Sequence, residues 1–128
     1  MKTLVAACAI GIAAVMVALP VRADLIDGKT LTEWAREYQR VRSGTGDYLS
    51  HIYDRRFQVY VAGVHDAYVS GLRSSPDERV FCSPGSATVN QVSVAVYKFL
   101  RKNPEMSFES GSVLVISALA EAFPCPDQ

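Results

Sequence analysis

At 128 residues, with 13 basic and 13 acidic side chains balancing to a formal charge of zero, the chain is sized for one compact domain and no more. That balance provides no global attraction to nucleic acid or to an anionic membrane, which excludes the strongly basic binding classes. A domain this small has a limited core and gains from a covalent staple.

Residues 1–23 carry the pattern of a cleavable secretory signal peptide. Lys2 supplies the positive charge, and Leu4 to Leu19 is an apolar run interrupted only by Gly11. Pro20 breaks the run, and Val21-Arg22-Ala23 places small or modest side chains where a signal peptidase needs them. The run falls short of the roughly 20 residues that span a bilayer, so cleavage after Ala23 is preferred to an anchor. Cys8 stands too early for a lipoprotein site. The expected organisation is therefore signal peptide 1–23 and one mature domain, 24–128, with no membrane attachment after cleavage. Losing Lys2 and Arg22 leaves eleven basic against thirteen acidic side chains, a formal charge of −2.

The mature part reads as helices in succession. Asp27-Gly28-Lys29-Thr30 makes a turn-like lead-in, with Thr30 or Thr32 as the cap. Leu31, Trp34, Tyr38 and Val41 then share one helical face, and Ser43-Gly44-Thr45-Gly46 ends the element. Asp47 caps a second helix running to Gly71. Its apolar positions, Leu49, Ile52, Tyr53, Phe57, Tyr60, Val61, Val64 and Tyr68, keep a helical period, and Gly71 suits a left-handed C-terminal position. Leu72 to Arg79 is a polar connection, Val80-Phe81-Cys82 returns to apolar character, and Ser83-Pro84-Gly85 turns the chain.

Thr88-Val89-Asn90-Gln91 matches a capping box. Val89, Val92, Val96, Phe99 and Leu100 line one face of the helix that follows, and Arg101 and Lys102 sit near its negative end. Asn103-Pro104 stops it. A last helix over 110–122 is expected to bury Val115, Ile116, Leu119 and Phe123, with Pro124 at its end. Two stretches pull the other way: Val92 to Val96 and Phe57 to Val61 alternate like strands. Caps, lengths and the wider 3–4 spacing agree on helix, with an α+β fold as the alternative. The fold class is thus all-α, a small bundle of four to five helices. Cys8 leaves with the signal, so Cys82 and Cys125 remain as an even pair and are expected to form one disulfide. Closing a loop 43 positions long stabilises by roughly 4 kcal/mol on the chain-entropy model.

Few residues point to chemistry. His65-Asp66 is the only adjacent histidine–carboxylate pair, and helix neighbours point about 100° apart, which argues against a dyad. There is no glycine-rich phosphate loop, no Gly-x-Ser-x-Gly and no metal-binding spacing, with His51 and His65 the only histidines. No cofactor is implied. Tyr48, Tyr53, Tyr60 and Tyr68 read as core and interface rather than as a sugar-stacking stripe. Arg36, Arg40, Arg42, Arg55 and Arg56 read as a solvated helix face. The residues describe an exported, helical, stapled binding protein with no catalytic set.

Cys82-Ser83-Pro84, Gln91, Phe99-Leu100-Arg101-Lys102-Asn103-Pro104-Glu105 and Ala118-Leu119-Ala120-Glu121-Ala122-Phe123-Pro124-Cys125-Pro126, in that order and spacing, resemble the Rap/Tai immunity protein family of type VI secretion. Tyr60-Val61-Ala62-Gly63-Val64-His65-Asp66-Ala67 resembles the family's central helix. The resemblance implies a periplasmic, mostly helical protein, often a homodimer, that binds and blocks a secreted peptidoglycan amidase effector. Relatives commonly carry a further cysteine pair near Trp34–Tyr38 and near Phe57, which this chain lacks. An occluding inhibitor needs a protruding element on a rigid body. Arg73 to Arg79 fits that part, with Ser74, Ser75, Asp77 and Glu78 as its partner-binding residues. Two other classes compete: a small acid-stress-type periplasmic chaperone, whose switch the 13 acidic residues would supply, and a hydrolase or sugar-binding module.

Overall fold

The computed structural model describes residues 25–71 and 79–126. The expected signal peptide and the partner-binding residues Ser74, Ser75, Asp77 and Glu78 lie outside that range. Four α-helices form the domain: α1 (Gly28–Arg42), α2 (Tyr48–Gly71), α3 (Val89–Lys102) and α4 (Gly111–Ala122), with a 3-10 helix at Pro104–Phe108. There is no strand among the described residues, so the valine alternation was not a strand signal. None of these helices is long and apolar enough to cross a membrane.

Local chemistry starts each helix. Asp27 caps α1 by accepting from the Thr30 backbone N–H at 2.8 Å. This corrects the expectation that Thr30 or Thr32 would be the cap: Thr32 lies inside the helix and its hydroxyl donates back to the Gly28 carbonyl at 2.7 Å. Asp47 accepts from both the backbone N–H and the hydroxyl of Ser50. These hydrogen bonds from Thr30 and Ser50 hold the Asp27 and Asp47 carboxyls below their ordinary value of 3.8. Each cap's contribution is therefore complete above that value and fades as pH falls through the lowered one. A circular dichroism titration should show helix loss from this source only below about pH 4.

At the end of α1, the Gly44 and Thr45 N–H groups donate to the Val41 and Arg40 carbonyls, and Gly44 takes φ of 75°. This is the paired-bond ending in which glycine tolerates the left-handed turn. Gly71, by contrast, stays helical rather than left-handed. In α3 the capping box is complete: Gln91 N–H donates to Thr88 Oγ1 at 3.3 Å, and Thr88 N–H donates to Gln91 Oε1 at 2.8 Å. Thr88→Ala should lower stability by about 1 kcal/mol in chemical denaturation.

The core runs along the centre of the bundle, where α2 packs against α1 and α3, and α3 against α4. Leu31, Tyr38, Phe57, Val61, Val96, Leu114, Val115 and Leu119 are fully buried. Tyr38 is its aromatic hub, 5.1 Å from Phe57 and 6.0 Å from Tyr97 between ring centroids. Several expected core positions shift by a fraction of a turn. In α1, Ala35 is buried while Trp34 and Val41 are half-buried. In α4, Leu114 and Ala118 take the places expected of Ile116 and Phe123, which are half-buried. Leu49 and Val89, each in the first turn of its helix, face solvent.

Two cross-links close the bundle around α4. At its start, Gly28 N–H donates to the Glu109 carbonyl and Gly111 N–H to the Ile26 carbonyl, both at 2.9 Å, an antiparallel bridge centred on Asp27 and Ser110. Beyond its end, Cys82 and Cys125 are joined in a disulfide, Cα atoms 4.9 Å apart.

Candidate functional site

The last turns of α2 and the segment leading to α3 enclose a concavity of about 450 Å³. Its floor is aromatic. Phe81, almost wholly buried, stacks on Tyr68 at 4.5 Å and on the His65 ring at 5.8 Å. Val80 N–H donates to the Tyr68 hydroxyl at 2.6 Å, and Cys82 N–H donates to the Phe123 carbonyl at 2.8 Å. With the disulfide, these contacts fix residues 80–83 to α2 on one side and to the end of α4 on the other. The polar connection 72–78 joins this anchored segment to the end of α2.

His65 is the polar centre of the concavity. Its Nδ1 lies 2.9 Å from Asp66 Oδ1 and its Nε2 lies 2.8 Å from Ser83 Oγ. The expectation against a His65–Asp66 pairing is thus corrected. Their Cβ vectors diverge, but the Asp66 side chain, 79% exposed and unconfined, folds across to the imidazole. Ser83 was missed because it stands 18 residues away and only the return of the chain brings it close. In principle, a carboxylate-oriented imidazole beside a hydroxyl can take up its proton. The same line of hydrogen bonds also ties the segment carrying Cys82 to α2. Among the described residues no group of three or more His, Cys, Asp or Glu side chains is placed to hold a metal ion.

The other groups noted in the sequence do not converge. Tyr48 is exposed, Tyr53 lies under Arg56, Tyr60 packs edge-on against Trp34 and Tyr68 stacks on Phe81. They form no stripe. The arginines are more engaged than a solvated face requires. Arg40 pairs with Glu37 at 3.2 Å, Arg42 covers the Tyr38 ring at 5.1 Å, and Arg56 lies 6.0 Å from the Trp34 ring centre. Burial raises the Tyr38 phenol pKa above its ordinary value, partly opposed by Arg42. Where the resemblance expects a second cysteine pair, Tyr38 and Phe57 press ring against ring. Aromatic packing joins α1 to α2 there.

No curated protein and no solved structure matches the chain. The family model described as Rap1a immunity proteins matches residues 27–125. The matched span opens on the Asp27 cap of α1 and closes on the second cysteine of the disulfide, so it takes in all four helices and both cross-links. The chain belongs to the Rap1a immunity protein family.

Proposed function

We propose that the mature domain, 24–128, is exported to the periplasm and there binds and occludes a peptidoglycan amidase effector of type VI secretion, doing no chemistry itself. Family membership carries this reading. The anchored base of the 72–78 connection adds to it, because a plug inhibits only if its attachment is stiff. Ser74, Ser75, Asp77 and Glu78 would make the contacts, the acids meeting donors in the amidase cleft and the serines adapting to its shape. The Asp66–His65–Ser83 line would then serve as a tether that seats the return segment on α2.

The test is to purify amidases encoded near this gene and measure binding and cell-wall cleavage with and without the domain. The expected result is a tight complex and lost cleavage. Replacing Ser74, Ser75, Asp77 and Glu78 together by Ala should weaken binding by about 100-fold or more with thermal stability unchanged. If no such amidase is bound or inhibited, the immunity reading fails and the chaperone reading leads. A fluorophosphonate probe on the isolated domain checks the other half. Ser83 should stay unlabelled, and labelling that disappears in His65→Gln would show an activated nucleophile.

A further inference from the structure

A second concavity, about 370 Å³, lies on a different face, between α1 and α3. Its floor is apolar, formed by Ala35, Leu100 and Tyr97, and its rim carries Arg36, Arg40 and Arg101. No acidic residue lines it among the described residues, although acids outnumber bases in the chain from residue 24 onward. Arg40 is neutralised by Glu37. Arg101 donates to the Tyr97 hydroxyl and lies over its ring, and neither Arg36 nor Arg101 has an ion-pair partner among the described residues. Glu33 and Glu37 border Arg36 on its other side without forming an ion pair with it, and Arg101 faces the trough from α3. Two guanidinium groups flanking an apolar trough attract a negative charge attached to an apolar body. An apolar cavity with a few convergent polar groups, in this size range, is the usual form of a small-ligand site.

We infer that the α1–α3 groove binds an anionic single-tail amphiphile, its head group between Arg36 and Arg101 and its tail along Ala35, Tyr97 and Leu100. The site does not depend on the amidase reading, since it shares no residue with the concavity at the end of α2. A carboxylate head suits the planar guanidinium forks, and a chain of medium length suits the volume.

The experiment is calorimetric titration of the purified domain with hexanoate, octanoate and decanoate, each below its micellar concentration, with decanol as the uncharged control. Affinity should tighten at least about tenfold from hexanoate to decanoate as methylenes are buried. The double variant Arg36→Gln/Arg101→Gln should weaken decanoate binding at least about tenfold while leaving any decanol binding unchanged. Both residues are exposed, so the variant should keep the parent's melting curve, which verifies its fold. Decanoate binding that is absent, insensitive to tail length, or equal in the double variant overturns the inference.

Discussion

Replacing Cys82 and Cys125 together by Ala should lower the free energy of unfolding by about 4 kcal/mol, within the range of about 2–5 for small disulfide-bonded domains. The bond closes a loop of 43 residues that contains α3, the 3-10 helix and α4, so its loss frees close to half of the described fold in the unfolded ensemble. Against a total stability of about 5–15 kcal/mol, that is a large share. The melting temperature should fall by roughly 15–25 °C, read from thermal melts of the parent and the double variant. The parent melted under reductant should match the variant. A fall of less than 5 °C in both would mean that the helix packing alone holds the domain. On the proposed reading, the same variant should also lose affinity for the amidase beyond what unfolding explains, because Cys82 anchors residues 80–83.

Gly28→Ala and Gly111→Ala should each destabilise by about 1–3 kcal/mol, although alanine is the better helix former. A Cβ on Gly28 would stand 2.6 Å from the Ser107 carbonyl oxygen, 2.7 Å from Leu114 Cδ1 and 2.8 Å from the Glu109 carbonyl oxygen. On Gly111 it would meet the Ile26 carbonyl oxygen at 2.8 Å and the Tyr60 hydroxyl at 2.9 Å. Backbone oxygens cannot move aside as a flexible side chain can, so the bridge between residues 27 and 110 must open. Because both glycines serve that one bridge, the double variant should cost less than the two single ones together. Gly63→Ala is the control with the opposite sign. Gly63 is exposed in the middle of α2 with nothing within 4 Å of its missing Cβ, and alanine there should stabilise by about 0.5–1 kcal/mol. Chemical denaturation of the three single variants and the double variant reads all of these effects, and a stabilised Gly28→Ala would refute the close approach.

Helix number, boundaries and staple were legible in the sequence because local chemistry sets them. The capping box at Thr88 and Gln91, the Asp47 cap and the stop at Asn103-Pro104 depend only on near neighbours. The strand-like alternation of Phe57 to Val61 dissolves once the helix is seen: Phe57 and Val61, four apart, are buried, while Val59 between them is 72% exposed. What remained illegible depends on contacts distant in sequence. The choice of Asp27 over the threonines is fixed partly by its bridge to Ser110. The rotation that buries Ala35, Leu114 and Ala118 follows from how the helices meet, which periodicity alone does not specify. The His65–Ser83 contact belongs to the same class, since only the folded path of residues 79–83 creates it.

The disulfide also imposes an order in time. Cys125 follows all four described helices, and the Phe123 carbonyl that receives the Cys82 N–H stands just before it. As the polypeptide emerges from N- to C-terminus, residues 80–83 cannot be locked until Cys125, 43 positions after Cys82, has appeared. A chain that stops before Phe123 therefore lacks both the bond and this hydrogen bond, whatever helices it has formed. Only a chain that has passed Cys125 can hold residues 80–83 in their seated position, so the bundle and this segment are completed together.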